Sequence, residues 1–333
     1  MVTYGQSINI ALDELLKSNP QIVLLGEDIR DPYGGAFKIT RGLSSKYSER
    51  VINTPISEAA ITGIASGMAL NGFKPILEIM FGDFITLCSD QIINHLSKFH
   101  WMYNGKVNAP VVIRTPMGGY RGYGPTHSQS LEKLLLGVPG IDIVAASIFH
   151  DPGKLLMECI KHEKPILFIE SKISYPRRLI GQGNTSGYNL HVEGYSYDQT
   201  VIISHDIKDV DVTLVCYGGM VSIVEEAIRE LLMEDNLYVK VLIPSCIKPL
   251  NLLTIIDSIK ETGRLVIVEE GSLEYGWGAE IAAKVQMSAF EYLEAPVVRI
   301  GAKEFPIANA KSLENAILPQ KENIKHVVRE LFI

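Results

Sequence analysis

Short runs of Val, Ile and Leu alternate with helical patterns along almost the whole chain, and nothing else narrows the possible folds as much. Ile22–Leu25, Val51–Thr54, Pro75–Ile79, Val111–Arg114, Ile143–Ala146 and Pro165–Glu170 are strand-length and apolar, as in parallel sheets buried on both faces. Between them, residues 84–103 place Ile85, Cys88, Ile92, Leu96 and Phe99 on one stripe, which predicts an amphipathic helix. Asp151-Pro152 opens another, over 151–164, with basic residues near its end to suit the helix dipole. Residues 176–210 break the rhythm: they are polar and glycine-rich and read as a linker or extended crossing segment. Alternation resumes with strands Val212–Tyr217, Tyr238–Ile243, Leu265–Glu269 and Pro296–Ile300, and helices over 221–234, 251–261 and 278–292. The pattern predicts an α/β protein of two domains, residues 1–188 and 189–333, each a mostly parallel sheet flanked by helices.

The 333 residues suffice for two such cores. A net charge of −7, with no basic run longer than Arg177-Arg178, speaks against nucleic-acid binding. No uninterrupted apolar run is long enough to cross a bilayer, and the N-terminal segment reads as an amphipathic helix rather than a signal peptide. Cys88, Cys159, Cys216 and Cys246 lie far apart, which suggests a reducing compartment and no zinc site. No two histidines have the spacing of a metal site, so no side-chain metal site is expected. Together these features predict a soluble cytoplasmic protein.

Two places stand out for chemistry. In NTPISEAAITGIASGMALNG, residues 53–72, Glu58 sits where a strand hands over to a helix of small residues, with Gly63 and Gly67 one turn apart. A first-turn carboxylate is commonly there for the helix dipole. It is also where an α/β sheet places a reactive acid, one that shares a proton with a ligand covering it. In GGYRGYGPTHSQS, residues 118–130, four glycines in seven positions form a loop with no evident packing purpose, and His127 follows. Such a loop lets a backbone approach a ligand or lets a lid move, and a histidine beside it can serve as acid, base or anion donor. A surface histidine bonded to backbone fits the local sequence equally well.

GEDI with DPYGGAFKITRGL, the 53–72 segment, KPILEIMFGDF with SDQIINHLSK, GPTHSQSLEKLLLGVPG, and KPL with GRLVIVEEG and GWGAEIAA follow one another in this order. From about residue 3 to about residue 325 the chain resembles the β subunit of the thiamin-diphosphate-dependent component of 2-oxoacid dehydrogenases. Pyruvate, branched-chain and acetoin enzymes share the pattern.

The resemblance implies a pyrimidine-binding domain followed by a transketolase C-terminal domain, with thiamin diphosphate held between subunits. Glu58 matches the family's cofactor glutamate, which bonds the aminopyrimidine ring. Ile56, Met80 and Phe84 match residues lining the pyrimidine pocket, though plain core residues would look the same. His127 matches a histidine facing the substrate, with Ser128 and Gln129 orienting its loop. The family's α subunit carries a GDG sequence that binds Mg2+ and the diphosphate; this chain has none. The resemblance therefore implies an α partner in a heterotetramer of two α and two β chains, and a lipoyl-bearing acyltransferase core. The activity implied is decarboxylation of a 2-oxoacid, pyruvate first among the candidates, with acyl transfer to lipoamide. The alternative is a split transketolase-like carboligase of a biosynthetic pathway, to which the altered loop around His127 points. His162 and Lys164 stand where family members that bind a structural K+ carry an acid and an amide, which makes that ion doubtful here.

Overall fold

The computed structural model describes residues 2–180, 188–205 and 210–333. Thr3 opens the first helix, Tyr4–Ser18, through a reciprocal cap with Gln6. Six strands then run parallel: β1 (Ile22–Gly26), β2 (Val51–Asn53), β3 (Lys74–Glu78), β4 (Val112–Met117), β5 (Asp142–Ala145) and β6 (Ile166–Ser171). Their order is β5-β6-β4-β3-β1-β2, with Leu24 opposite both Val51 and Ile76. Because all six point the same way, the loops after Gly26, Asn53, Glu78, Met117 and Ser171 emerge along one edge, the usual place for a site in an open α/β sheet.

The second half builds β7 (Asn189–Tyr195), β8 (Asp198–Ser204), β9 (Val212–Cys216), β10 (Val239–Pro244), β11 (Cys246–Lys248), β12 (Leu265–Ser272) and β13 (Val298–Ala302). Six of these form a second sheet in the order β13-β12-β9-β10-β8-β7, parallel except at β8 and β7. β11 instead crosses to the first sheet and pairs antiparallel with β5, Cys246 opposite Val144. The core is continuous across this junction: the buried cluster holding Leu24, Ile76 and Phe168 also holds Val212, Leu214 and Val266.

The single helix expected over 84–103 is three pieces: a 3-10 segment Gly82–Cys88, a π-helical turn Gln91–Leu96 and a short α-helix Phe99–Met102. Ser89 and Ser97 hydroxyls donate to the carbonyls of Ile85 and Ile93, which perturbs a regular ladder. Ile85, Cys88, Ile92 and Leu96 are buried as the stripe requires. The segment read as a linker contains the β7–β8 hairpin, turned at Ser196 with φ 57°. Residues 181–187 and 206–209 of that segment lie outside the described residues. Two C-terminal helices, Lys311–Ile317 and Lys321–Glu330, had no counterpart in the sequence reading; the first is too short to show a helical period. Among the described residues no helix is long and apolar enough to cross a membrane, and no group of three or more His, Cys, Asp or Glu is arranged to hold a metal ion.

Candidate active site

Glu58 opens the helix Glu58–Leu70 just beyond β2 and is only 7% exposed. Its backbone carbonyl accepts the Thr62 hydroxyl at 2.7 Å. Its carboxylate has no hydrogen-bond or ion-pair partner among the described residues. Every other buried carboxylate among them accepts at least one hydrogen bond. Next to it, Glu27 at the end of β1 accepts the Ser57 N–H at 3.2 Å. Burial, and then the nearby Glu58 charge, push the Glu27 carboxyl above its usual range. The Glu58 oxygens are not among the unpartnered atoms cut off from solvent, so the carboxylate sits in a largely buried residue yet is open to a partner from outside.

The His127 loop lies over the segment that follows β3. The His127 ring meets Phe81 and Phe84 edge-on, with centroids 4.8 and 5.3 Å away. Thr126 Oγ1 lies 2.9 Å from His127 Nδ1, which leaves Nε2 as the ring nitrogen without a partner among the described residues. Gln129 fixes the loop as expected: its backbone N–H and its side-chain amide both donate to Asp83 Oδ1, at 3.2 and 2.8 Å. The Ser128 hydroxyl is buried without a bond among the described residues, so its expected part in orienting the loop has no visible contact. Met80 and Phe84 are half-buried at the sheet edge, while Ile56 stands 81% exposed. The structure thus joins Phe84 to His127. Glu58 connects with them through its helix, which packs against the 3-10 segment carrying Phe84.

Sequence reasoning passed over two sets of residues here. Lys172, directly after β6, is fully buried and donates to the His127 carbonyl at 2.5 Å. Its ammonium lies 5.2 Å from the centroid of the Phe81 ring. Burial pushes it down to about 8, against the opposing pull of Asp83 and Glu270. Arg114 on β4 binds Glu170 of β6 through two nitrogens, at 2.6 and 3.0 Å, and Glu78 of β3 at 2.9 Å. Tyr175 donates to the same Glu170 at 2.7 Å. The available signal was a charged residue inside an otherwise apolar strand, at Glu78, Arg114 and Glu170.

These two sheets and this edge define a class, the transketolase-like proteins. Residues 1–178 match the transketolase pyrimidine-binding domain and residues 203–324 the transketolase C-terminal domain. The mitochondrial pyruvate dehydrogenase E1 component subunit beta of Dictyostelium discoideum is 36% identical, covering 99% of this chain and 91% of its own. The corresponding subunit of Rickettsia bellii is 33% identical over 99% and 98%. The beta subunit of acetoin:2,6-dichlorophenolindophenol oxidoreductase from Cupriavidus necator is 34% identical over 97% and 95%. A split gene transketolase, solved as an inactive beta4 tetramer, superposes with a TM-score of 0.75 over 99% of this chain and 98% of that one; at 19% identity it shows the fold alone. The chain belongs to the family of β subunits of thiamin-diphosphate-dependent 2-oxoacid dehydrogenases.

Proposed function

We propose that this chain, paired with an α subunit, decarboxylates a 2-oxoacid, pyruvate first among the candidates, and passes the acyl group to lipoamide. The observation that carries the reading is Glu58, a buried residue whose carboxylate has no partner among the described residues. An acid in that state fits a ring nitrogen that comes from outside the chain. Glu58 would hold the proton shared with the aminopyrimidine of thiamin diphosphate, and Ile56, Met80 and Phe84 would supply apolar walls that keep water from it. When bound, the cofactor supplies the electron sink that lets a 2-oxoacid lose carbon dioxide. His127, with Nδ1 occupied by Thr126, would present Nε2 to the substrate as a hydrogen-bond donor.

The ligands of Mg2+ and the diphosphate belong on the α partner in this reading, since the chain carries no GDG sequence. The exposed side of the helix Glu58–Leu70 supports an assembly of two α and two β chains. A Cβ added at Gly63 or Gly67 would meet nothing within 4 Å, and Ile64 beside them is 54% exposed. A lipoyl-bearing acyltransferase would receive the product. A structural K+ stays doubtful in this reading: in that region Lys164 sets its own ammonium 2.5 Å from Asp142. The free, buried cysteines suit a reducing compartment such as the cytoplasm. The two domains would divide after residue 188.

The test is to co-express the chain with its α subunit and follow reduction of an artificial electron acceptor. Turnover should require a 2-oxoacid. No turnover with pyruvate, branched-chain 2-oxoacids or acetoin would sink the proposal. Product formed from an aldehyde acceptor without lipoamide would move the chain to the carboligases.

A further inference from the structure

The four glycines of the Gly118–Gly124 loop have a packing purpose after all: the second half of the chain is seated on them. A Cβ on Gly118, where φ is +95°, would stand 2.4 Å from Glu270 Oε1. On Gly119 it would stand 2.6 Å from Leu318 Cδ1 and 3.2 Å from Glu314 Oε1. Without side chains in the way, two carboxylates of the second half reach the loop's amides. Gly119 N–H donates to Glu270 Oε1 at 2.5 Å, and Gly122 N–H to the two Glu314 oxygens at 3.1 and 3.3 Å. Glu270 lies on β12 and Glu314 on the helix Lys311–Ile317. Between these points the Tyr120 hydroxyl donates to the Pro319 carbonyl at 2.8 Å. At the loop's far end, Lys172 holds the His127 carbonyl.

We propose that Glu270 and Glu314 are positioning residues that reach from the second half to fix the loop bearing His127, with Lys172 anchoring its far end. The proposal rests on the reading of His127 as a substrate-facing group. Both glutamates are buried, Glu314 to 1% exposure, and a neutral side chain would fill such a position with less desolvation. Burial pushes the Glu270 carboxyl up to about 7, against the pull of the Gly119 N–H and Lys172; Glu132 and Glu314 add to the rise. Asp83 and Arg121 face Lys172 in turn. Because the folded value lies above the unfolded one, the ionised form costs stability as pH rises between them. As pH falls through about 7, Glu270 takes up a proton and Gly119 loses its anionic acceptor.

The experiment measures kcat and KM for the 2-oxoacid across neutral pH in the assembled α–β enzyme, with Glu270→Ala, Glu270→Gln, Glu314→Ala and His127→Ala, and with Glu270→Ala combined with His127→Ala. Glu270→Ala and Glu314→Ala should each lower kcat about tenfold or more through misplacement of His127, with a smaller change in KM. Glu270→Gln keeps an acceptor oxygen for the Gly119 N–H, so it should restore most of the kcat that Glu270→Ala loses. Glu270→Ala should add nothing to His127→Ala. Wild-type kcat in both alanine clasp variants, or independent effects of Glu270→Ala and His127→Ala, would overturn the proposal. Should Glu270→Ala fail to assemble, wild-type kcat in Glu314→Ala would overturn it as well. Full turnover in His127→Ala alone would instead show that the reading of His127 is wrong, and the clasp's purpose with it.

Discussion

The two regions that carry the site are finished to different degrees. The His127 loop is tied down from several sides within the chain: by Asp83 through Gln129, by Lys172, and by Glu270 and Glu314 from the second half. Glu58 is a largely buried residue whose carboxylate has no partner among the described residues, at the start of a helix where a Cβ added at Gly63 or Gly67 would meet none of them within 4 Å. Tethered groups are pre-organised and need no outside help to keep their geometry. A buried group without a partner is stabilised when something from outside supplies one. The contrast supports the proposed reading, in which this chain builds one wall of an active site and a cofactor and a partner complete the other.

The largest expected effect tests the unfinished side. Glu58→Ala in the assembled enzyme should cut turnover by about 10²-fold or more, as for loss of a group that moves a proton in the reaction. The isolated chain should melt no lower than wild type, because the change removes a largely covered carboxylate that has no partner among the described residues. Hydrogen–deuterium exchange at the reactive carbon of bound thiamin diphosphate gives a direct readout. Unchanged exchange would take Glu58 out of the mechanism.

Next in size is a change beneath both regions. Arg114→Met leaves Glu78 and Glu170 buried without their shared cation. Breaking one partner out of such a cluster costs about 3–5 kcal/mol, which urea unfolding of the isolated chain measures. A loss below about 1 kcal/mol, the value of an exposed pair, would mean that the carboxylates find other partners.

Where the sequence could be read, the reason is plain. β1, β3, β4 and β6 are buried on both faces, so each appears as a mostly apolar run whatever its neighbours are. Glu58 and His127 could be singled out because each sits beside glycines near a strand end, and their suggested roles came from resemblance to a family. The clasp could not be read. Gly119 and Glu270 are 151 residues apart, Gly122 and Glu314 192 apart, and neither pairing leaves a local pattern. The same holds for β11, whose partner β5 lies in the other half. The 84–103 stripe was read correctly for which residues face inward and wrongly for the backbone. A period shows which side is buried and says nothing of serines that bond back to the ladder.

A smaller effect belongs to the tethered side. Gly118→Ala asks a side chain to occupy the left-handed region and to displace the Glu270 carboxylate. It should cost about 1–3 kcal/mol in thermal or urea unfolding and lower kcat at the same time, because fold and clasp share the position. Lost stability with wild-type kcat would separate the two and weaken the link between the clasp and His127.

The smallest effect sets the opposite glycine against it. Gly63 lies inside the helix Glu58–Leu70, has no positive φ, and a Cβ there meets nothing within 4 Å. In the isolated chain Gly63→Ala should raise stability by up to about 1 kcal/mol, the helix preference of alanine over glycine. In the presence of the α subunit the sign should turn. If another backbone comes close along this face, the added methyl stands in its way, and the assembled complex should dissociate at lower dilution than wild type. Sedimentation of the mixture against protein concentration distinguishes the cases. A variant more stable alone and equally stable in the complex would mean that the open face of this helix is simply solvated, and that Glu58 is completed by the cofactor without a neighbouring chain on that side.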